Sequence, residues 1–222
     1  MTKRRNTVIF ITFLACVFMG VIDAVIQPGY FLKSVVKIIL FLILPIFYSV
    51  YDKECNLKKL FSFNKKGILV ALLSGFGVYI IVLGAFLIFK NVFDFSALTS
   101  SLTKSTGVNK NNFIFVAIYI SFANSLLEEF FFRGFSILNL KEVSNRKIAY
   151  IFSAIMFAVY HIAMMIGWFD WYVVLLALLG LFVGGVIFNY FNEKYNSIYL
   201  SWLIHMFANF ATNTIGFILF EN

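Results

Sequence analysis

The sequence predicts an all-α membrane protein, a polytopic bundle of about 7–8 transmembrane helices with a polar intramembrane site. Two observations predict this class. Of the 222 residues, 62% are hydrophobic and only 13% are charged, a composition that soluble domains of this size do not have. The apolar residues also form windows of roughly 20, which is the length of helix that crosses a bilayer core about 30 Å thick.

The apolar windows follow one another with short polar connections, so we predict a single membrane domain over residues 1–222. The first window resembles a signal peptide, but it is too long and lacks a small-residue cleavage site, so we interpret it as a retained span. The outer connection 91–111 is predicted to be a flexible loop. Gly180, Gly184 and Gly185 are predicted to allow close helix contact. We place the spans at residues 7–26, 34–50, 67–89, 112–140, 148–166, 172–190 and 198–219.

Basic residues predict the orientation, because cytoplasmic segments carry an excess of Lys and Arg. Three cations at 3–5 precede the first span and predict a cytoplasmic N-terminus. The cytoplasmic segments are then 1–6, 51–66, 141–147 and 191–197. They hold most of the 18 basic residues, so loop asymmetry accounts for the +8 net charge and no nucleic-acid partner is expected. The bias of the composition towards Lys, Asn, Ile and Phe favours a bacterial cell membrane as the location. Cys16 and Cys55 are predicted to be free thiols.

Ionisable side chains inside the spans are costly and usually mark function. Both histidines of the chain lie inside predicted spans. Because a helix rises about 1.5 Å per residue, the central glutamates and the two histidines can lie in one layer, which predicts a single polar cavity. The intramembrane candidates are Asp23, Glu128, Glu129, Arg133, His161 and His205.

Spacing separates the roles of the two adjacent glutamates. Residues four apart share a helix face, so Glu129 and Arg133 are predicted to pair. Glu128 is rotated by about 100° and shares its face with Asn124. It is therefore predicted to lack an ionic partner and to be free to titrate. Asp23 likewise has no partner that the sequence reveals.

The two histidines have neighbours at the same spacing. Asn209 follows His205 by four residues, so both would offer donors to one point, and Phe157 would pack on or orient His161. A carboxylate in a partly dry cavity is a competent general base for water, and a nearby histidine can share its proton. We predict hydrolysis by activated water, with an oxyanion hole from the second histidine and its asparagine. No serine or cysteine is clearly placed to act as a nucleophile beside the histidines.

Three short motifs carry a resemblance to a known family. EEFFFR at 128–133, FAVYH at 157–161 and HMFAN at 205–209 lie in order on separate predicted spans. They are similar to the EExxxR, FxxxH and HxxxN/D motifs of the CPBP family, which comprises type II CAAX prenyl endopeptidases and bacteriocin-processing or immunity (Abi) membrane proteins. The resemblance covers a core at about 112–213 and implies an intramembrane endopeptidase with about eight helices.

The resemblance also implies residue roles. Glu128 corresponds to the general base, acting on water with His161, while His205 and Asn209 correspond to the oxyanion hole. No cofactor is expected. Zinc at Glu128, His161 and His205 is the alternative, although the helical zinc signature HExxH is absent from the sequence. The residues expected to support the site are Glu129, Arg133, Phe157 and Asn124.

The expected function is hydrolysis of a membrane-associated peptide or prepeptide, in peptide or bacteriocin processing or in self-immunity. The lipid bilayer and a membrane partner protein are the other expected partners. Two alternatives stay open. One is a non-proteolytic scaffold or bacteriocin-immunity protein that acts by binding. The other is a proton-coupled transporter with a Glu/His relay, which would show interrupted helices duplicated in two halves.

Overall fold

The computed structural model describes residues 2–221, and the elements in that range are helices and turns. Seven helices are long and apolar enough to cross a membrane, which confirms the predicted spans in this range: the chain is a multi-pass membrane protein. Residues 1 and 222, the ends of the predicted domain, lie outside the described residues. The helices are α1 (Thr2–Ile26), α2 (Tyr30–Tyr51), α3 (Lys65–Phe89), α4 (Ser96–Thr106), α5 (Phe113–Val143), α6 (Arg146–Met165), α7 (Trp171–Tyr195) and α8 (Ile198–Glu221).

The connection at 91–111 is predicted to be a flexible loop, and the prediction of a loop is wrong because the segment contains α4. Hydroxyl groups satisfy backbone carbonyls along this short helix. Thr103, Ser105 and Thr106 each donate to the carbonyl four residues earlier, at 2.9, 2.8 and 2.7 Å. Gly107 ends α4 with a φ of 73°, a left-handed conformation that glycine adopts without steric cost.

The fourth of the seven spans, α5, is the centre of the bundle. It contacts α1, α2, α6, α7 and α8. Two widened, π-helical segments, Ile120–Asn124 and Phe130–Ile137, flank the regular turn Ser125–Glu129. Every residue of the second widened segment is buried. Such segments are frequent at functional sites, and here they place two adjacent glutamates in the middle of the protein.

Close helix contact at glycine occurs where α7 crosses α6. A Cβ atom on Gly185 would lie 3.1 Å from the Cα of Ala154, so the glycine lets the two helices approach. Nothing lies within 4 Å of the corresponding positions at Gly180 and Gly184. The predicted contact is therefore confirmed for Gly185 and wrong for the other two glycines, which face away from the bundle.

Replacing Gly185 with Ala is expected to lower the free energy of unfolding by about 1–3 kcal/mol, because the new methyl group overpacks the contact with Ala154. Gly184→Ala is the matched control and is expected to be neutral or stabilising. Unfolding can be followed with a thiol-reactive dye, since Cys16 and Cys55 are free and buried. An equal or higher melting temperature for Gly185→Ala than for the control would contradict the packing.

Candidate active site

Glu128 lies at the centre of the polar cluster and is only 2% exposed. Its Oε1 atom receives three hydrogen bonds. Lys37 Nζ and the Tyr160 hydroxyl donate to it at 2.6 Å each, and Asn124 Nδ2 donates at 2.8 Å. The predicted shared face of Asn124 and Glu128 is confirmed. The three donors come from α2, α6 and α5, so one carboxylate oxygen links three helices.

The second oxygen of Glu128 faces the two histidines. His161 Nε2 lies 3.9 Å from Oε2, and His205 Nε2 lies 3.7 Å from it. These separations are too long for direct hydrogen bonds. The predicted layer of Glu128, His161 and His205 is therefore a real cluster, in which both histidines approach the same oxygen without bonding to it.

The other nitrogen of each ring is held by an acceptor. His161 Nδ1 lies 2.6 Å from the carbonyl oxygen of Phe157, and His205 Nδ1 lies 2.9 Å from Glu129 Oε1. Because carbonyl and carboxylate oxygens only accept, both Nδ1 atoms carry hydrogen. In the neutral rings both Nε2 atoms are then acceptors. Three acceptors, Oε2 of Glu128 and two Nε2 atoms, converge on one region, an arrangement that favours a hydrogen donor such as water.

Glu129 connects an ion pair to one of these histidines. Its Oε1 lies 3.2 Å from Arg133 Nη1, which confirms the predicted pair, and the same oxygen holds His205. Glu129 and Arg133 are both completely buried. The Arg133 guanidinium also lies 4.2 Å from the ring centre of Phe157. The pair therefore fixes the orientation of His205 as well as joining turns of α5.

Aromatic rings surround the histidines. The ring of Phe157 lies 5.0 Å from that of His161, which confirms the predicted packing, and the carbonyl oxygen of Phe157 lies 2.6 Å from His161 Nδ1. Phe188 stacks on His205 at 5.0 Å, a contact that no sequence spacing indicates. At His161 the backbone of α6 tightens, because its N–H bonds to the carbonyl of Ala158, three residues earlier.

Lys37 is a site residue that the sequence reasoning missed. The expectation that Glu128 lacks an ionic partner is wrong, because the Lys37 ammonium lies 2.6 Å from its carboxylate. Asp23 also has a partner, Lys33, at 2.6 Å. The signal was present in the sequence: two lysines four residues apart at the start of an apolar span face one side of α2. Such lysines often snorkel to the interface, but here Lys37 is only 4% exposed.

Asn209 is placed differently from the prediction. Its Nδ2 donates to the carbonyl oxygen of Ile120 at 3.0 Å, at the start of the first widened segment of α5. The side chains of Asn209 and His205 therefore do not offer donors to one point here. The physical reason is that a backbone carbonyl has two lone pairs, so Ile120 accepts the Asn209 amide as well as the N–H of Ser125.

A zinc ion at Glu128, His161 and His205 does not fit this arrangement. Ligand atoms of a tetrahedral zinc with bonds of about 2.0–2.1 Å lie about 3.3 Å apart, whereas the two Nε2 atoms are 3.9 and 3.7 Å from Oε2. The Lys37 ammonium also bonds the same carboxylate. Within residues 2–221, no group of three or more His, Cys, Asp or Glu side chains is arranged to hold a metal.

Comparison with known proteins gives one match. No curated protein and no solved structure matches the chain. A family model described as type II CAAX prenyl endopeptidase Rce1-like matches residues 110–211, which include all three motifs. The family is one of CAAX-type intramembrane endopeptidases. Residues 110–211, the segment that supplies the glutamates, the histidines and Asn209, are similar to the Rce1-like type II CAAX prenyl endopeptidase family.

Proposed function

We propose that this chain is an intramembrane endopeptidase that hydrolyses a peptide bond of a membrane-associated peptide or prepeptide with water activated by Glu128. The observation that carries the proposal is the convergence of Oε2 of Glu128 with Nε2 of His161, 3.9 Å away, and Nε2 of His205, 3.7 Å away. A water molecule has two hydrogens to donate, so it could bridge Oε2 of Glu128 and one of the two Nε2 atoms.

The proposed step begins with a water that donates one hydrogen to Oε2 of Glu128 and the other to Nε2 of His161. The water oxygen bonds to the carbonyl carbon of the substrate while its proton passes to Glu128, and the carbonyl electron pair moves onto oxygen. When that pair returns, the C–N bond breaks and Glu128 gives its proton to the leaving nitrogen. The products are a carboxylic acid and an amine.

The negative oxygen formed in this step needs donors. In the proposal the reacting form of the site holds a hydrogen on both nitrogens of His205, so Nε2 donates to this oxygen while Nδ1 stays bonded to Glu129 Oε1. Asn209 supplies the second, which requires that substrate binding break its bond to the Ile120 carbonyl. The proposed oxyanion hole is therefore completed by the substrate.

We propose a bacterial cell membrane as the location, with the N-terminus in the cytoplasm, and peptide or bacteriocin processing or self-immunity as the role. The basic cluster at 3–5 supports the orientation, as do the lysines of the connection between α2 and α3. Both lie at one end of the bundle, because Arg4 pairs with Asp52 and Glu54 of that connection. The substrate would enter from the bilayer or its surface, because the polar cluster lies among buried side chains in the spans.

The test is cleavage by purified protein reconstituted in lipid vesicles, with products identified by mass spectrometry. The probes are a library of unmodified membrane-associated peptides and a farnesylated peptide that ends in a CAAX sequence. We expect at least one probe to be cut at a defined bond, with the rate unchanged by a chelator. Binding of a probe without cleavage would favour the scaffold or immunity alternative. Proton-coupled flux across the vesicles would favour a transporter.

A further inference from the structure

We propose that Lys37 is a positioning residue of the active site, which holds Glu128 by Oε1 so that Oε2 faces the two histidines. This inference rests on the proposed peptidase function. Lys37 lies on α2, whereas the family match begins at residue 110. The N-terminal helices would then contribute to the site itself in addition to anchoring the bundle.

The first argument is that the Lys37 ammonium is completely bonded. It donates to Glu128 Oε1 at 2.6 Å, to Asn124 Oδ1 at 2.5 Å and to the Tyr160 hydroxyl at 2.6 Å. A lysine ammonium has three hydrogens to donate, so each has an acceptor. Phe41 adds an aromatic wall, with its ring centre 5.5 Å from Nζ. These contacts fix the ammonium at one position.

The second argument is the asymmetry of the carboxylate. Lys37, Tyr160 and Asn124 all donate to Oε1 of Glu128. Oε2 is left facing the Nε2 atoms of His161 and His205. The three donors therefore determine which oxygen is available to water and in which direction its lone pairs point. An error of about 1 Å in the position of a reacting group can lower the rate about 100-fold.

The third argument is charge. A carboxylate inside a membrane bundle is costly unless a cation compensates it. Arg133 pairs with Glu129, and Lys37 pairs with Glu128, so the two adjacent glutamates have separate cations. Because the Arg133 guanidinium is already committed to Glu129, it cannot replace Lys37 without leaving the other carboxylate uncompensated.

The experiment compares Lys37→Met with Lys37→Arg on a peptide that the wild-type protein cleaves, or on the farnesylated CAAX probe. Lys37→Met is expected to lower kcat about 100-fold with KM changed less than about threefold, because the base is misplaced while the binding surface remains. Lys37→Arg keeps the charge but has a different donor geometry. Its kcat should therefore be about tenfold higher than that of Lys37→Met. A kcat for Lys37→Met within threefold of wild type would overturn the proposal.

Lys33→Met is the matched control. Lys33 lies one turn away on the same helix and pairs with Asp23, without a contact to Glu128. It tests whether loss of any lysine of α2 that pairs with a carboxylate lowers the rate. We expect kcat of Lys33→Met to stay within about threefold of wild type, after correction for folded protein. An equal loss of kcat in both methionine variants would assign a general structural role to α2 and would overturn the positioning role.

A double-mutant cycle tests the contact without peptidase activity. Melting temperatures are compared for Lys37→Met, Glu128→Gln and the double variant. Each single change leaves one charged partner uncompensated. The melting temperature of the double variant should therefore fall by less than the sum of the two single decreases. Additive losses would overturn the proposal. If the wild-type protein cleaves no probe, the proposed function fails, and the cycle still decides whether Lys37 holds Glu128.

Tyr160→Phe keeps the proposal testable if Lys37→Met does not fold. It removes one donor to Oε1 and one acceptor of Lys37 while keeping the ring that packs on His161. We expect about a tenfold loss of kcat with KM unchanged, which corresponds to one weakened contact in the transition state. A normal kcat for folded Tyr160→Phe would overturn the proposal that the donors to Oε1 position Glu128.

Discussion

Replacing Glu128 with Gln is expected to lower the cleavage rate by at least about 100-fold, the contribution of a positioned general base. Gln keeps the shape of the side chain and removes the carboxylate that would accept the proton of water. The change also leaves the Lys37 ammonium, 2.6 Å away, without its counter-charge. The double variant Lys37→Met/Glu128→Gln removes both charges and is expected to be equally inactive, which separates loss of the base from loss of charge balance.

Glu54→Gln is the matched control for this experiment. Glu54 is an exposed carboxylate outside the spans, with 79% of its side chain accessible, and it pairs with Arg4 at 3.0 Å. The cleavage rate of Glu54→Gln should equal that of the wild type. Initial rates are measured by mass spectrometry in the same vesicles, at equal amounts of folded protein. If Glu128→Gln cleaves a defined peptide as fast as Glu54→Gln, Glu128 is not the base.

Replacing Arg133 with Leu is expected to destabilise the protein by about 3–5 kcal/mol, the cost of breaking a buried ion pair. Arg133 and Glu129 have no exposed side-chain surface, so the substitution leaves a carboxylate in an apolar bundle without a cation. Phe132, Phe157 and Phe188 lie around the guanidinium and offer no replacement donor. The melting temperature in detergent measures the loss.

Arg146→Leu is the control for the buried arginine. Its side chain is 65% exposed and pairs with Glu193 at 2.7 Å, outside the buried part of the bundle. Exposed pairs contribute about 0–1 kcal/mol, so its melting temperature should remain close to that of the wild type. The account of Arg133 is contradicted if both leucine variants melt at the same temperature.

The spans and one part of the site could be predicted because they depend on local spacing. Apolar windows of about 20 residues identify helices that cross a bilayer, and the structure contains seven in the described range. The pairs Glu129 with Arg133 and Asn124 with Glu128 lie one helical turn apart, so helix geometry alone brings them together. Four-residue spacing also predicted the contact of Phe157 with His161.

The remaining contacts join different helices, and spacing along one helix does not reveal them. Lys37 reaches Glu128 because α2 packs against α5, and Lys33 reaches Asp23 across the turn that joins α1 to α2. The same limit applies to Asn209, whose spacing from His205 is correct but whose amide finds a backbone acceptor on α5. Helix packing, which a single sequence does not specify, decides these partners.

The most direct test of the account is cleavage of the best peptide probe in ¹⁸O-labelled water, with rapid quenching and mass measurement of both peptide and protein. If water held by Glu128 attacks the substrate directly, the new carboxyl group carries one ¹⁸O atom and the protein mass does not change at any time. Glu128→Gln should show neither product nor adduct. A covalent peptide adduct on the protein that forms and decays during turnover would contradict the account.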